Sequence, residues 1–204
     1  MLLNAQECQL VLVDYQLRLM PAMRDASLTL VNAVTLAHMA ELHKMPVFAS
    51  EQNPSKLGET VPELRSVLEQ AGAKILSKMH FSAVEEGLSE LLRPPAKAPA
   101  GNARSLPKHL QKAVVTAPER NTVVLAGCEA HVCLLQTALD LLEDEFDVWV
   151  VTDACTSRTE RNRDAAFDRL ASAGVELVTT EMVAFEWLRT AEHTAFKTIQ
   201  GLIK

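Results

Sequence analysis

The sequence lacks an apolar run long enough to cross a membrane, so we expect no membrane-spanning segment. It also lacks a basic N-terminal region, because Glu7 precedes the first arginine, Arg18. We therefore expect neither a secretory signal nor a mitochondrial transit peptide. Positive charge is in the minority as well, with a formal net charge of −6 at pH 7. That balance, without any stripe of basic and aromatic residues, disfavours nucleic acid and anionic membranes as partners.

Cysteine is scarce, and its spacing forms no disulfide framework. The chain has four cysteines, none of them in a C-x-x-C pair: Cys8, Cys128, Cys133 and Cys155. We expect free thiols and hence a reducing, cytoplasmic location, while mitochondrial association without a visible transit peptide stays open. The histidines His80, His109 and His131 are not grouped at the spacing of metal ligands. The sequence therefore predicts neither a metal nor a cofactor.

Short apolar runs alternate with amphipathic segments along the whole chain. The predicted strands cover residues 9–13, 46–50, 73–77, 123–126, 146–152 and 175–178. This alternation predicts an α/β fold, with a doubly wound, mostly parallel sheet of about six strands flanked by helices. The length of 204 residues suits one domain that spans residues 1–204. The Pro/Ala-rich stretch 94–107 predicts an exposed loop or insertion, and a short helix is expected within 108–120.

Hydroxyl residues mark several predicted helix starts. Thr60 precedes Pro62, a residue that is tolerated in a first helical turn. Ser82 and Ser157 each stand three residues before a glutamate, which is the spacing of a capping box. Thr180 predicts the start of the last long helix. The apolar C-terminal stretch 193–204 is expected to dock on the domain body or on a neighbouring subunit.

Three reactive side chains follow predicted strands at their carboxyl ends: Asp14, Lys78 and Cys133. In open α/β sheets this edge carries the ligand crevice. Each residue alone has a structural interpretation, since Asp14 could cap a loop, Lys78 could be solvated, and a single cysteine is more often buried. The three together predict a nucleophilic thiol, a proton carrier and a stabilising cation. Because Cys133 lies in a first helical turn, the sequence also predicts that its thiolate is favoured.

Four motifs carry a resemblance to a known family. They are V-L-V-D-Y-Q at 11–16, S-K-M-H-F-S-A at 77–83, L-A-G-C-E-A-H-V-C at 125–133 and T-D-A-C-T-S-R at 152–158. In this order, and over nearly the whole chain, they resemble the isochorismatase-like cysteine hydrolases. The resemblance implies a catalytic triad of Asp14, Lys78 and Cys133.

The resemblance also implies the surroundings of the triad. A cis peptide bond would fall at Cys128–Glu129, and N–H groups near Glu129 and Cys133 would form an oxyanion hole. The residues that match positions near the family's substrate pocket are Gln16, Gln52, Phe81 and His131. For His131 a structural role stands beside the substrate-binding one.

Two departures narrow the expected activity. Isochorismatases proper lack the nucleophilic cysteine, whereas this chain has Cys133. Nicotinamidases carry an Asp-x-His metal site after the second strand, where this chain has S-E-Q-N at 50–53. The resemblance is thus to the metal-free subgroup, and it implies a hydrolase that cleaves a C–N bond in a small molecule and forms a dimer, tetramer or larger homo-oligomer. The alternatives are a non-catalytic oligomeric binding or scaffold protein and a ribonuclease, as some relatives are labelled.

Overall fold

A computed structural model describes residues 1–94 and 120–204 of the chain. The helix predicted within 108–120 and most of the loop predicted at 94–107 lie outside the described residues. The strands are β1 (Cys8–Val13), β2 (Val47–Gln52), β3 (Lys74–Lys78), β4 (Thr122–Gly127), β5 (Asp147–Val151) and β6 (Glu176–Val178). They form one parallel sheet in the order β3-β2-β1-β4-β5-β6. This confirms the predicted doubly wound α/β fold.

The middle of the sheet consists of β1 and β4, which pair in register from Cys8 with Thr122 to Val13 with Gly127. Every residue of β1 is buried, and β4 is buried from its second residue onward. Continuous apolar runs of this kind form strands that are covered on both faces. The strand order reverses between β1 and β4, so their carboxyl ends open the crevice where such sheets bind ligands.

Helices cover both faces of the sheet. They are α1 (Ala26–Leu42), α2 (Pro54–Leu57), α3 (Pro62–Gln70), α4 (Leu88–Leu92), α5 (Leu135–Glu143), α6 (Glu160–Ala173), α7 (Thr180–Leu188) and α8 (Phe196–Leu202). Helix α1 packs against α3 and α7. Helix α5 packs against α6. In α8 the side chain of Ile199 is fully buried, so the C-terminal stretch docks on the domain body. Within residues 1–94 and 120–204, no helix combines the length and the apolar character needed to span a membrane.

The predicted start of α6 is wrong by two residues. Thr159 is the N-cap, and its hydroxyl accepts a hydrogen bond from the N–H of Asn162. The hydroxyl of Ser157, which the sequence nominates, instead lies 3.0 Å from Nδ1 of His131. The Ser157 hydroxyl is therefore bonded to a residue distant in the chain, whereas its spacing predicts a bond to the first turn of α6.

The same displacement occurs at two other helices. Thr179, rather than Thr180, caps α7, because the Thr180 hydroxyl donates to Oδ1 of Asp153 at 2.9 Å. Thr60 does not cap α3, since its hydroxyl donates to Oε1 of Glu51 at 2.8 Å. In both cases a buried or half-buried carboxylate accepts the bond from the hydroxyl.

The helix predicted to open at Ser82 is divided. A 3₁₀ turn covers Val84–Glu86, and α4 begins only at Leu88. Between them Gly87 adopts a φ of +89°, a left-handed conformation that ends a helical turn and that glycine adopts with little strain.

Candidate active site

Three strand ends bring the predicted triad together. Asp14 follows β1, Lys78 is the last residue of β3, and Cys133 lies in the π-helical turn Ala130–Leu134 after β4. Single π-turns within helices are frequently found at functional sites. The charges of Asp14 and Lys78 both act on the pKa of the Cys133 thiol, which places all three groups in one electrostatic cluster.

Asp14 and Lys78 form an ion pair inside the protein. Nζ of Lys78 lies 2.8 Å from Oδ2 of Asp14, and neither side chain has any exposed surface. A single charge is strongly disfavoured in such surroundings. Two opposite charges can be buried together because each compensates the other. The solvated lysine that the sequence allowed is thus excluded.

The backbone at Asp14 turns sharply as β1 ends. Asp14 has a φ of +56°, and the N–H of Gln16 donates to its carbonyl oxygen at 2.9 Å. Asp14 still belongs to the sheet on its other side, because its N–H donates to the carbonyl of Ser50 at 3.1 Å. Left-handed backbone at a residue other than glycine is uncommon and is often associated with functional sites.

Both charged groups of the ion pair have further partners. The hydroxyl of Ser50 donates to Oδ1 of Asp14 at 2.8 Å. The ammonium of Lys78 donates to Oε1 of Gln52 at 2.7 Å and to the carbonyl oxygen of Phe81 at 2.9 Å. These bonds leave Oδ2 of Asp14 as the carboxylate oxygen that faces the ammonium.

Cys133 holds a neutral thiol in the resting site. The side chain is 6% exposed, and burial raises the pKa of its thiol to about 12. The negative charge of Asp14 raises this pKa further, while the positive charge of Lys78 lowers it in part. The prediction of a favoured thiolate is therefore wrong for the resting protein, because burial and a nearby carboxylate outweigh the position at a helix start.

The turn between β4 and Cys133 has unusual backbone geometry. The Cys128–Glu129 peptide bond is cis. The N–H of Cys128 donates to the carbonyl of Val13 at 2.9 Å, so this turn is joined to the end of β1. Among the residues that the structure describes, no acceptor is found for the N–H of Glu129. The Glu129 carboxylate points elsewhere, since its Oε2 accepts from Nε of Arg158 at 2.9 Å.

Two of the predicted substrate-binding residues are engaged in the protein's own hydrogen bonds. Gln16 is fully buried and donates to the carbonyl oxygens of Gln52 and Gly58 at 3.0 and 2.6 Å. His131 has Nδ1 beside the Ser157 hydroxyl and Nε2 at 3.2 Å from Nδ2 of Asn162. Both head groups are thus occupied by hydrogen bonds within the protein.

The other two predicted residues lie next to the ion pair. Gln52 contacts Lys78 through Oε1, and its Nε2 donates to the carbonyl of Met79 at 2.8 Å. The side chain of Phe81 is 52% exposed, while its carbonyl oxygen accepts from Lys78. Phe81 is therefore the predicted residue whose side chain is most available to a ligand.

An open groove is lined by residues that follow Lys78 and Cys133 in the chain. It has a volume of about 610 Å³. Its lining residues are Met79, His80, Phe81, Ser82, Glu85, Gln136 and Asp140. One wall directly follows Lys78 in the chain, and the other is the helix that follows Cys133. In the described part of the chain, no group of three or more His, Cys, Asp or Glu side chains is arranged to hold a metal ion.

Ser50 is the site residue that the sequence argument missed. The predicted second strand ends at Ser50, so the alternation of β2 is not followed through to Gln52. With β2 extended to Gln52, residues 50 and 52 fall on one face of the sheet at its carboxyl edge. The alternation of side chains along β2, in a strand next to β1, was the feature of the sequence that could have identified Ser50.

Comparison with known proteins assigns the family. A sequence profile described as "Isochorismatase domain" matches residues 108–182. The secreted isochorismatase effector Isc1 of Phytophthora sojae is 36% identical over 171 residues, which cover 83% of this chain and 71% of that protein. The chain belongs to the isochorismatase-like family.

Other isochorismatase-like proteins agree with this assignment. Isochorismatase domain-containing protein 2 of Rattus norvegicus is 35% identical over 172 residues, which cover 84% of this chain and 69% of that protein. The structure of the MAR1 ribonuclease of Caenorhabditis elegans superposes with a TM-score of 0.83 at 28% identity, and the match covers 100% of this chain and 92% of that one. Members of the isochorismatase-like family are generally hydrolases.

Proposed function

We propose that this protein is a cysteine hydrolase that cleaves a C–N bond of the amide type in a small molecule. The observation that carries the proposal is the buried Asp14–Lys78 ion pair, with its 2.8 Å separation, next to the thiol of Cys133. A nucleophile, a proton acceptor and a fixed cation within one crevice are the components of nucleophilic acyl transfer.

In the first half of the reaction, the sulfur of Cys133 attacks the carbonyl carbon of the substrate, and its proton passes to the Asp14 carboxylate. The carbonyl oxygen takes up the displaced electron pair and accepts hydrogen bonds from the backbone N–H groups of Glu129 and Cys133. Collapse of this tetrahedral species breaks the C–N bond. Asp14 returns the proton to the departing amine, and an acyl thioester remains on Cys133.

In the second half, Asp14 removes a proton from water, and the resulting hydroxide attacks the thioester carbon. Collapse of the second tetrahedral species breaks the C–S bond and releases the carboxylic acid. The proton on Asp14 returns to the sulfur of Cys133, so the site ends as it began. Throughout, the ammonium of Lys78 stabilises whichever neighbour carries the negative charge.

The neutral thiol suits this sequence of steps. With the pKa of Cys133 raised to about 12, deprotonation is favourable only as the carbon–sulfur bond forms. A proton acceptor beside the sulfur is then required, and we assign that role to Asp14. General-base assistance of this kind typically contributes about 10²–10⁴-fold to a rate.

The decisive experiment combines turnover with trapping. A panel of small primary amides is screened for ammonia release, and any active amide is tested with Cys133→Ala and with Cys8→Ala as the matched cysteine control. We expect loss of turnover in Cys133→Ala only, and an acyl mass on Cys133 after acid quench. Full turnover by Cys133→Ala would refute the proposal.

Two alternatives are tested by the same material. A non-catalytic binding or scaffold protein predicts that Cys133 forms no acyl adduct with any amide. The ribonuclease alternative agrees with the name of the Caenorhabditis elegans protein, and it predicts RNA cleavage and salt-dependent RNA binding. The net charge of −6 does not favour it.

We further propose that the protein forms a homo-oligomer in the cytoplasm. Large apolar side chains are exposed on α1, where Leu28 and Val31 are 62% and 57% exposed, and on the adjacent α7, where Phe185 is 45% exposed. Such surfaces commonly mark protein–protein contacts. All the cysteines are free thiols, in keeping with a reducing compartment. Light scattering of the wild type and of Val31→Glu tests the assembly, and the variant is expected to dissociate.

A further inference from the structure

The carboxyl end of β2 presents two polar side chains to the ion pair. Ser50 and Gln52 are two residues apart, so their side chains leave the strand on the same face. In the parallel register Ser50 lies opposite Val13, the residue before Asp14, and Gln52 lies directly opposite Lys78. Gln52 is thus the strand neighbour of Lys78, and Ser50 pairs with the residue that precedes Asp14.

The ammonium of Lys78 needs more than Asp14 to hold it in one place. A lysine head group is a compact charge on a flexible stem, so a single ion pair leaves it free to rotate. Oε1 of Gln52 is at 2.7 Å from Nζ, closer than the carbonyl oxygens of Phe81 and His80 at 2.9 and 3.3 Å. Gln52 therefore supplies the shortest of the hydrogen bonds that orient this ammonium.

Gln52 is itself fixed at both ends. Its Nε2 donates to the carbonyl of Met79, and its backbone N–H donates to Oε1 of Gln16 at 2.8 Å. Since an ammonium only donates hydrogen bonds, the amide oxygen of Gln52 is the atom that must face Lys78. The amide is therefore held in the orientation that the ammonium requires.

Ser50 has the matching position on the carboxylate. Its hydroxyl donates to Oδ1 of Asp14 at 2.8 Å, so Oδ2 is the oxygen that faces Lys78 and the thiol. Ser50 is 2% exposed, so water does not take over this bond.

We propose that Gln52 is a positioning residue that holds the Lys78 ammonium where it can stabilise the sulfur anion of Cys133, with Ser50 holding the Asp14 carboxylate in the same way. This deepens the proposed hydrolase mechanism, on which it rests. It changes the role of Gln52 from a substrate contact to a residue that acts through Lys78.

The test reads Cys133 directly and requires no substrate. The rate of carbamidomethylation of Cys133 by iodoacetamide is measured by mass spectrometry between about pH 7 and 9.5, below the thiol pKa, where the rate follows the thiolate fraction. The variants are Gln52→Met, which keeps the length and removes the acceptor, and Gln52→Asn, which is too short to reach Nζ. Gln70→Met on the exposed end of α3 is the matched control.

We expect both Gln52 variants to react about tenfold more slowly than the wild type at a fixed pH, as for a thiol pKa raised by about one unit. The reason is that the charge of Lys78 lowers the pKa of Cys133, and an ammonium that drifts away lowers it less. Ser50→Ala is expected to slow the reaction in the same direction, and Gln70→Met to leave it unchanged. Wild-type rates in both Gln52 variants would overturn the proposal.

A double-mutant comparison separates positioning from general structure. If Gln52 acts through Lys78, Gln52→Met has no further effect on the rate in a Lys78→Met background. An equal effect in both backgrounds would also overturn the proposal. Failure here is distinct from failure of the hydrolase assignment, which is decided by turnover and acyl trapping in Cys133→Ala.

Discussion

A Cβ atom on Gly127 would lie 2.4 Å from the carbonyl oxygen of Val13. Gly127 ends β4 and Val13 ends β1, so the residues before Cys128 and Asp14 are in direct backbone contact at the mouth of the crevice. Only the absence of a side chain at residue 127 permits this approach. The distance between Asp14 and the turn that leads to Cys133 therefore depends on one glycine.

Gly127→Ala is expected to destabilise the protein by about 1–3 kcal/mol, because the methyl group forces the two central strands apart. Cys133 alkylation should change with it, since the turn and Asp14 separate. Urea unfolding and labelling rates measure the two effects. Gly201→Ala is the control, as a Cβ there meets nothing within 4 Å; equal stability of the two variants would contradict this reading of the contact.

Asp14→Asn is expected to accelerate alkylation of Cys133 while strongly reducing turnover. The carboxylate raises the pKa of the thiol, so its neutral replacement lowers that pKa and increases the thiolate fraction at a given pH. In the proposed mechanism this variant lacks the proton carrier, so turnover should fall by about 10²-fold or more. Iodoacetamide labelling and ammonia release are measured in parallel, with the exposed Asp168→Asn as control. Slower labelling in Asp14→Asn would show that Asp14 does not act on the thiol as described.

Lys78→Met is expected to cost about 3–5 kcal/mol of stability, because it leaves the buried Asp14 carboxylate without its cation. The double variant Asp14→Asn/Lys78→Met removes both charges and should be more stable than Lys78→Met alone. Chemical denaturation of the three proteins measures the difference. A double variant that is less stable than Lys78→Met would mean that the charges are not compensating one another.

His43 should make the stability depend on pH. Burial, followed by the charge of His193, lowers the pKa of His43 below its ordinary value of 6.5. A histidine with a lowered folded-state pKa stabilises the fold above the unfolded value, and this contribution is lost as the pH falls through the folded-state pKa. The rings of His43 and His193 are 5.2 Å apart, and Nδ1 of His193 accepts the N–H of Ala195 just before α8.

The melting temperature is therefore expected to fall between about pH 7 and 5, and His43→Gln should reduce that fall. Differential scanning calorimetry across this range measures it. His38→Gln is the control, because His38 is a partly exposed histidine on α1, the helix that ends just before His43. A slope that is unchanged in His43→Gln would assign the pH dependence to other groups.

The sequence was sufficient for the fold, and it placed the three proposed catalytic residues at the carboxyl edge of the sheet. Asp14 and Lys78 could be found because the first follows β1 and the second ends β3, at the edge where parallel strands share their carboxyl ends. The supporting groups were less visible. The hydroxyls of Ser157 and Thr180 stand at cap positions in the chain, yet both are bonded to residues more than twenty positions away. Residue spacing predicts local partners, and it does not show which distant group competes for a hydroxyl.

The thiol's protonation state was also beyond the sequence. The position of Cys133 at a helix start is a local property, and it favours the thiolate. Its burial and the approach of Asp14 are properties of the assembled sheet, and they dominate. Ser50 was missed for a related reason, since its value to the site depends on β2 lying next to β1.

Lys78 lies in β3, which is one of the two edge strands of the sheet. With β2 on one side and no further described strand on the other, β3 is held by half as many strand partners as β1. Segments with fewer contacts open at lower free energy than the core, so β3 is expected to open before the central strands β1 and β4. Each such opening would withdraw the cation and leave Asp14 and Cys133 in place. In mild denaturant, turnover at Cys133 should therefore be lost while circular dichroism still reports a folded protein.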